Sequence, residues 1–198
     1  MSEIIYDKML NIKSSGIREW DEKVEEYNRY EATPYKALEK LFKNYSLETT
    51  DQLVDFGCGR GRVAFYIHHR FQIPVTGIEG NDVVYEELLQ NKTKYKQIAH
   101  HIMAPIEFKY EFAENYQIKA EDNLFYFFNP FSVTIFEKVI NNILLSYQEE
   151  KRTIKIILYY PIPKYQKFLQ EKTPFKLINE VEFSEAYDFL DKFLIYQL

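Results

Sequence analysis

The sequence predicts an α/β fold with a mostly parallel sheet of seven strands, helices on both faces and an antiparallel C-terminal pair. The stretch 53–71 contains a short apolar strand, a loop with three alternating glycines and a helix, the first half of a βαβ unit. Strand-like and helical segments then alternate as far as residue 160. The last two segments, 175–183 and 192–198, alternate apolar and polar residues, which predicts the antiparallel pair.

Composition indicates one globular domain over residues 1–198. The 198 residues are 46% hydrophobic and 28% charged, enough for a substantial core and too apolar for a disordered chain. The net charge of −5 gives no electrostatic reason to bind a nucleic-acid backbone, so we expect no nucleic-acid partner. The single cysteine, Cys58, allows no internal disulfide, which fits a cytoplasmic protein. Neither a signal peptide nor a membrane span is predicted.

The N-terminal third begins with a polar segment. Residues 1–32 predict one or two surface helices with Trp20 and Tyr27 as anchors, forming a lid or extension. Thr33 is predicted as the N-cap of an amphipathic helix over 34–44, because proline is favoured at the first helical position.

The later elements follow from apolar periodicity. A helix that starts at Asp82 is predicted to turn Val83, Leu88 and Leu89 inward. The run 123–128 is apolar almost throughout, as in a central strand covered on both faces. The other predicted strands and helices are 74–79, 106–110, 153–160, 133–146 and 164–171.

The glycine loop is the candidate ligand site. Gly57, Gly59 and Gly61 permit positive φ and close approach of backbone N–H groups to a ligand, and the following helix start favours an anionic group. A dinucleotide fingerprint G-x-G-x-x-G would place its third glycine at position 62, which is Arg62. The Gly-Lys-Ser/Thr of a phosphate-binding P-loop is also absent. NAD is therefore disfavoured.

An acid stands two residues before the first glycine. The sequence DFGCGRG, which begins with Asp55, resembles motif I of class I S-adenosylmethionine (SAM)-dependent methyltransferases, whose sheet is Rossmann-like with seven strands. The resemblance extends over residues 33–198. It implies that SAM is the cofactor, that Asp55 supports the loop or the ligand's ammonium, and that the loop surrounds the methionine end. The loop residues so implied are Gly57, Cys58, Gly59 and Gly61.

A second acid ends the second predicted strand. Glu79 lies 24 residues after Asp55, near the distance at which such folds hold ribose hydroxyls with a carboxylate. In the methyltransferase family this acid binds the ribose of SAM. Gly80 and Asn81 are predicted to form the turn beside the adenine.

The third strand departs from the family pattern. The family has an aspartate there that takes the adenine amino group, and Phe112 stands in its place. The adenine contact is therefore left to the backbone around Ala113 or to Glu114.

Asn129 is the candidate catalytic residue. It follows the fourth strand, at the edge where open α/β sheets place ligands, and is predicted to face the cofactor's methyl group. Asn129-Pro130-Phe131 resembles a shortened Asn-Pro-Pro-Tyr, with which amino-methyltransferases hold a planar nitrogen. Because one proline is missing, three interpretations stay open: contact with the accepting nitrogen, a supporting role near the cofactor, and turn formation alone.

The segment before motif I resembles the Tyr-x-x-Thr-Pro lead-in of some class I methyltransferases, including certain protein lysine methyltransferases. In those proteins it folds over the cofactor, and Tyr30 and Thr33 are the equivalents here. Residues 1–32 and the loops after strands four and five are therefore the expected acceptor lid. His68-His69 and His100-His101 are adjacent pairs, which on a helix point about 100° apart, so we expect no metal site.

Together these features predict methyl transfer from SAM to an acceptor that the sequence does not identify. A protein or a small molecule is favoured, with an amine nitrogen as the methylated atom. The alternatives are other SAM-dependent chemistry, a catalytically inactive SAM-binding sensor or interaction protein, and a protein that binds NAD. The sequence identifies no general base and predicts no oligomeric state.

Overall fold

The computed structural model describes residues 3–16, 26–183 and 188–198. These residues form six α-helices, seven strands and a short 3-10 helix, Ala113–Asn115. Trp20, the predicted anchor, lies outside the described residues. The helices are α1 (Glu3–Met9), α2 (Tyr35–Asn44), α3 (Arg62–Phe71), α4 (Asp82–Ile98), α5 (Val133–Glu149) and α6 (Pro163–Lys172). The strands are β1 (Leu53–Phe56), β2 (Val75–Glu79), β3 (Ile106–Tyr110), β4 (Leu124–Phe127), β5 (Lys155–Tyr159), β6 (Lys176–Glu182) and β7 (Lys192–Gln197).

The seven strands form one sheet in the order β3-β2-β1-β4-β5-β7-β6. Strands β1 to β5 are parallel, and β7 runs antiparallel to both β5 and β6, which confirms the predicted sheet. The chain leaves β1 toward β2 on one side and later returns to place β4 on the other. The carboxyl ends of β1 and β4 therefore flank a topological switch point, where open α/β sheets bind ligands.

Two hydrophobic cores cover the two faces of the sheet. Because successive strand residues point to opposite faces, Leu53 belongs to one core and Val54 to the other. Helices α2, α3 and α4 pack on the first face and α5 and α6 on the second, which confirms helices on both faces. The stacking of Phe136 on Tyr165, with ring centroids 3.7 Å apart, joins α5 to α6.

The N-cap expectation at Thr33 is wrong. Helix α2 begins at Tyr35, and its N-cap is Pro34, which makes no side-chain capping bond. Thr33 is buried, and its hydroxyl shares a hydrogen bond of 2.8 Å with the hydroxyl of Tyr126 on β4. A buried partner 93 residues away therefore competes successfully with local capping.

The inner face of α4 is also rotated relative to the prediction. Val83 is 55% exposed and Leu89 is 38% exposed, whereas Leu88 is buried as predicted. The buried side of the helix consists of Val84, Leu88, Asn91 and Tyr95, at spacings of four, three and four residues. Polar Asn91 is buried because its amide donates to the carbonyls of Lys13 and Arg60, a pairing that no local periodicity shows.

Candidate functional site

The glycine loop follows β1 and is covered by the protein's own side chains. Gly57 and Gly59 are left-handed, with φ of 70° and 56°. A Cβ on Gly59 would lie 2.0 Å from the ring of Tyr30, and one on Gly57 would lie 2.4 Å from Cβ of Pro130. Both the backbone angle and the close cover therefore require glycine at these two positions.

Two other predicted loop residues have packing roles in the structure. Gly61 is the N-cap of α3, and a Cβ there would lie 2.7 Å from Cδ1 of Leu88. Cys58 is buried, and its N–H and that of Gly57 donate to the carbonyl of Ile78 at 3.0 and 2.9 Å. These contacts fasten the loop to β2 and α4.

Two buried carboxylates meet at the ends of the neighbouring strands β1 and β2. Asp55 is 3% exposed, and its Oδ2 has no hydrogen-bond partner among the described residues. Glu79 is 5% exposed and accepts hydrogen bonds of 2.8 Å from the N–H groups of Gly59 and Asn81. Glu79 therefore links the glycine loop to the turn before α4.

Burial shifts the pKa of both acids upward. Removal from water raises the pKa of Asp55 from 3.8 to about 8, and the charge of Glu79 adds to the shift. Removal from water raises the pKa of Glu79 from 4.5 to about 7, against the lowering effect of its backbone donors. Two acids held this way favour a bound cation, which would stabilise their ionised forms.

The arginines beside Gly61 do not neutralise this pair. Arg60 donates through Nε to the carboxylate of Glu87 at 2.6 Å. Arg62, at the position of the missing third glycine, forms an ion pair with Glu3. Both guanidinium groups thus tie the N-terminal residues and α4 to the loop, and among the described residues they leave Asp55 and Glu79 without a cationic partner.

Residues 26–31, which we call the strap, lie along the loop that follows β4. Tyr27 forms an isolated antiparallel bridge with Phe131. The backbone N–H of Asn28 donates to the carbonyl of Pro130 at 3.0 Å, and its side-chain amide donates to the carbonyl of Asn129 at 2.8 Å. The lead-in segment therefore folds over the glycine loop, and Tyr30 covers Gly59.

Tyr27 holds the position predicted to contact adenine. Its hydroxyl donates to the carboxylate of Glu114 at 2.6 Å and accepts from the N–H of Ala113 at 3.3 Å. Its ring packs against Phe112 and Phe131, with centroids 5.4 and 5.6 Å away. The hydroxyl of Tyr27 thus occupies the N–H of Ala113 and the carboxylate of Glu114, the two groups that were predicted to contact the adenine.

Among the described residues, two cavities border the glycine loop and a third adjoins them. The first, which we call the cleft, has a volume of about 40 Å³ and is lined by Gly57, Glu79, Gly80, Asn81, Ala113 and the strap. A smaller pocket of about 20 Å³ is lined by Asp55, Cys58 and Tyr30. Ligand pockets usually measure about 300–1,000 Å³. The strap must therefore move before a nucleoside fits into the cleft.

The structure brings most of the predicted cofactor residues to this cleft and the pocket beneath it. Gly59, which Tyr30 covers, and Gly61 line neither cavity. Asn81 lines the cleft, but its side chain caps α4 by accepting from the N–H of Val84 at 2.9 Å.

Asn129 lines the third cavity, which has a volume of about 770 Å³. Its backbone is left-handed, with φ of 39°, and its Oδ1 is buried without a hydrogen-bond partner among the described residues. A non-glycine residue in this conformation is strained, and such residues concentrate at functional sites.

Sequence reasoning missed the far wall of this third cavity. Tyr159 ends β5 and Tyr160 follows it, and Asp188 and Asp191 precede β7. The wall exists because β7 pairs antiparallel with β5, and no local motif marks it. Within the part of the chain that the structure describes, no three potential metal ligands converge. No helix in that part has the length and apolar character needed to cross a membrane.

Neither the protein-family models nor the curated proteins match this sequence. Solved structures do match. The Pyrococcus abyssi tRNA (uracil-54, C5)-methyltransferase, in complex with S-adenosyl-L-homocysteine, aligns with 85% of the chain at 14% identity and a TM-score of 0.58. The chain spans only 39% of that enzyme's length.

Two further structures align along more of their own length. An RNA methyltransferase from Salinibacter ruber with S-adenosyl-L-homocysteine aligns with 84% of this chain and 92% of its own, at 12% identity and a TM-score of 0.56. Fibrillarin from Aeropyrum pernix with natively bound SAM aligns over 83% and 73%, at 14% identity and a TM-score of 0.56. At these identities the likeness establishes the fold. The chain has the fold of the class I SAM-dependent methyltransferases.

Proposed function

We propose that this protein transfers a methyl group from SAM to an acceptor. The observation that carries the proposal is the pair of buried acids, Asp55 and Glu79, beside a glycine loop at the switch point of this sheet. SAM carries an ammonium, a sulfonium and a ribose diol. Asp55 would hold the ammonium, and Glu79 would accept hydrogen bonds from the diol.

Asp55 beside the loop disfavours NAD, although a carboxylate at Glu79 would fit the ribose of either ligand. A dinucleotide would bring a doubly charged pyrophosphate to the loop, next to two carboxylates that burial already makes difficult to ionise. The arginines at positions 60 and 62 are engaged by Glu87 and Glu3. The charge at this site therefore supports a cationic ligand.

The chain's residues supply binding, alignment and exclusion of water. Bound SAM supplies a methyl group on a sulfonium, which is a good leaving group. Asp55 would hold the methionine ammonium and Glu79 the ribose beside the loop, and Asn129 borders the space from which an acceptor would approach. The strap covers this region and would keep water away from the reacting atoms.

Calorimetric titration with SAM, S-adenosylhomocysteine and NAD tests the cofactor assignment. We expect the wild type to bind the first two and not NAD. Glu79→Ala should weaken both by about 100-fold or more, because a charge-assisted contact and the support of the loop are lost. Glu86→Ala, an exposed acid on α4, is the matched control and should bind normally.

Binding of NAD alone by a folded protein would refute the proposal. Formation of S-adenosylhomocysteine from SAM in the presence of cell extract distinguishes an enzyme from an inactive SAM-binding sensor. Loss of that turnover in Glu79→Ala would assign it to this site.

The closed strap predicts slow entry of the cofactor. Tyr27→Ala removes a ring and a hydroxyl that hold the strap to Ala113 and Glu114, so the strap opens at lower cost. We expect SAM to associate several-fold faster with this variant in stopped-flow fluorescence. Tyr147→Ala on α5, far from the strap in sequence, is the control. An unchanged association rate would show that the strap does not limit entry.

A further inference from the structure

The 770 Å³ cavity is large enough for a small molecule or a side chain. It lies at the carboxyl ends of β4 and β5, where Asn129 and Tyr160 are both left-handed. Glu31 and Phe128 line this cavity, the cleft and the small pocket alike. The cavity therefore opens directly beside the proposed cofactor site.

The cavity wall is aromatic and acidic. Among the described residues, its charged members are the three carboxylates of Glu31, Asp188 and Asp191 and one guanidinium, Arg29. Arg29 lies 3.5 Å from Glu31 and so offsets one of the three. Its aromatic members are Tyr27, Phe128, Tyr159, Tyr160 and Phe183. Aromatic faces beside carboxylates attract cations.

Tyrosine hydroxyls orient the two aspartates. The hydroxyl of Tyr159 donates to Oδ1 of Asp191 at 2.7 Å, and that of Tyr160 donates to Oδ2 of Asp188 at 2.9 Å. The N–H of Leu190 donates to the other oxygen of Asp188 at 3.0 Å. Tyr159 on β5, Tyr160 just after it and the connection between β6 and β7 thus position the negative charge in the wall of the cavity.

A second observation concerns Asn129, which follows β4 and carries a hydrogen-bond acceptor that lacks a donor in the described part of the chain. Oδ1 of Asn129 is buried and has no hydrogen-bond partner among the described residues, although Asn129 lines the cavity. A buried oxygen without a partner is costly, and an N–H group of a ligand would satisfy it once the side chain turns toward the cavity.

We propose that this cavity binds the methyl acceptor and that the acceptor is an aliphatic amine, protonated in solution; this rests on the proposed methyl transfer. The ammonium loses one proton to a cavity carboxylate, of which Glu31 lies at the junction with the cleft. The nitrogen lone pair then forms the new N–CH₃ bond while the S–CH₃ bond breaks. The products are S-adenosylhomocysteine and a methylated ammonium.

Binding of a simple amine and its neutral isostere tests the charge requirement. Butane-1,4-diamine and butane-1,4-diol are titrated into the protein with and without saturating S-adenosylhomocysteine. The double variant Asp188→Asn with Asp191→Asn keeps an oxygen for each tyrosine hydroxyl but removes both charges. It should bind the diamine about tenfold more weakly and S-adenosylhomocysteine normally. Glu149→Gln, an exposed acid at the end of α5, is the control and should bind both normally.

Methyl transfer from labelled SAM is then measured with the diamine, a lysine-containing peptide and a single-stranded RNA oligonucleotide. Transfer to the diamine or the peptide supports the proposal and distinguishes a free amine from a protein side chain. Any of three results would overturn the proposal. The diol binds as tightly as the diamine, the diamine does not bind at millimolar concentration, or methyl is transferred to RNA alone. Failure to bind S-adenosylhomocysteine would instead refute the proposed cofactor, because diamine binding is measured separately.

Discussion

Replacement of Asp55 by Asn is expected to stabilise the unliganded protein at alkaline pH while it weakens SAM binding. Asp55 is buried, and Oδ2 finds no partner among the described residues. Its ionisation therefore costs free energy that the folded protein does not recover. In the proposed complex the ammonium of SAM offsets the cost of ionising Asp55. The substitution therefore raises the stability of the unliganded protein but lowers its affinity for SAM.

The pH window follows from the two pKa values of Asp55. The unfolded chain titrates near 3.8, whereas burial raises the folded pKa to about 8. Below the lower value both states are protonated, and the acid does not affect their balance. Between the two values the unfolded chain releases a proton that the folded protein retains, so the wild type loses stability as pH rises. Above the upper value the loss is complete.

Urea unfolding measures this difference. The free energy of unfolding of Asp55→Asn should approach that of the wild type near about pH 4 and exceed it increasingly up to about pH 9. Glu149→Gln, which removes an exposed acid, should follow the wild type throughout. Parallel pH profiles for wild type and Asp55→Asn would show that Asp55 is not strained by burial.

The ligand half of the prediction uses the same protein. SAM binding to Asp55→Asn should be about 10- to 100-fold weaker, the cost of one charge-assisted contact. Wild-type affinity should rise with pH toward about 8, because a bound cation favours the ionised form of Asp55. A stabilised variant with unchanged affinity would separate Asp55 from the ligand and leave it a role in the loop alone.

Replacement of Arg62 by Leu should lower the free energy of unfolding by about 3 kcal/mol. The guanidinium of Arg62 is buried and donates to Oγ of Ser14 at 2.7 Å, to the carbonyl of Thr33 at 3.1 Å and to the carboxylate of Glu3. It also lies 4.5 Å from the ring centre of Tyr35. Leucine fills part of the space and removes the guanidinium donor from each of these partners.

The loss should be concentrated in the N-terminal residues. Urea unfolding gives the global effect, and limited proteolysis gives the cleavage rate of segment 3–16, which Arg62 ties to α3. Arg62→Lys keeps the charge but not the fork of donors, so we expect an intermediate loss. Arg70→Leu, at the exposed end of the same helix, is the control and should cost well under about 1 kcal/mol. Equal effects at the two positions would contradict the assigned role.

The same residue illustrates where local reasoning ends. The spacing of the glycines alone shows that position 62 is an arginine where the dinucleotide fingerprint requires a glycine. The partners of Arg62 lie 29 to 59 residues earlier in the chain, and nothing in the motif announces them. Thr33 is similar, because its local capping signal is overridden by a hydroxyl on β4.

By itself the sequence determined the sheet, the glycine loop and the two acids at its edge. Apolar periodicity defines the strands and helices, and parallel strands place Asp55 and Glu79 at one edge wherever β1 and β2 are neighbours. The tertiary structure alone decided that Tyr27 holds the predicted adenine contacts and that Asp188 and Asp191 face Asn129 across one cavity. Those contacts join segments that the order of the strands in the sheet brings together. A periodic sequence pattern predicts on which face of the sheet a residue lies, but not which strand is its neighbour.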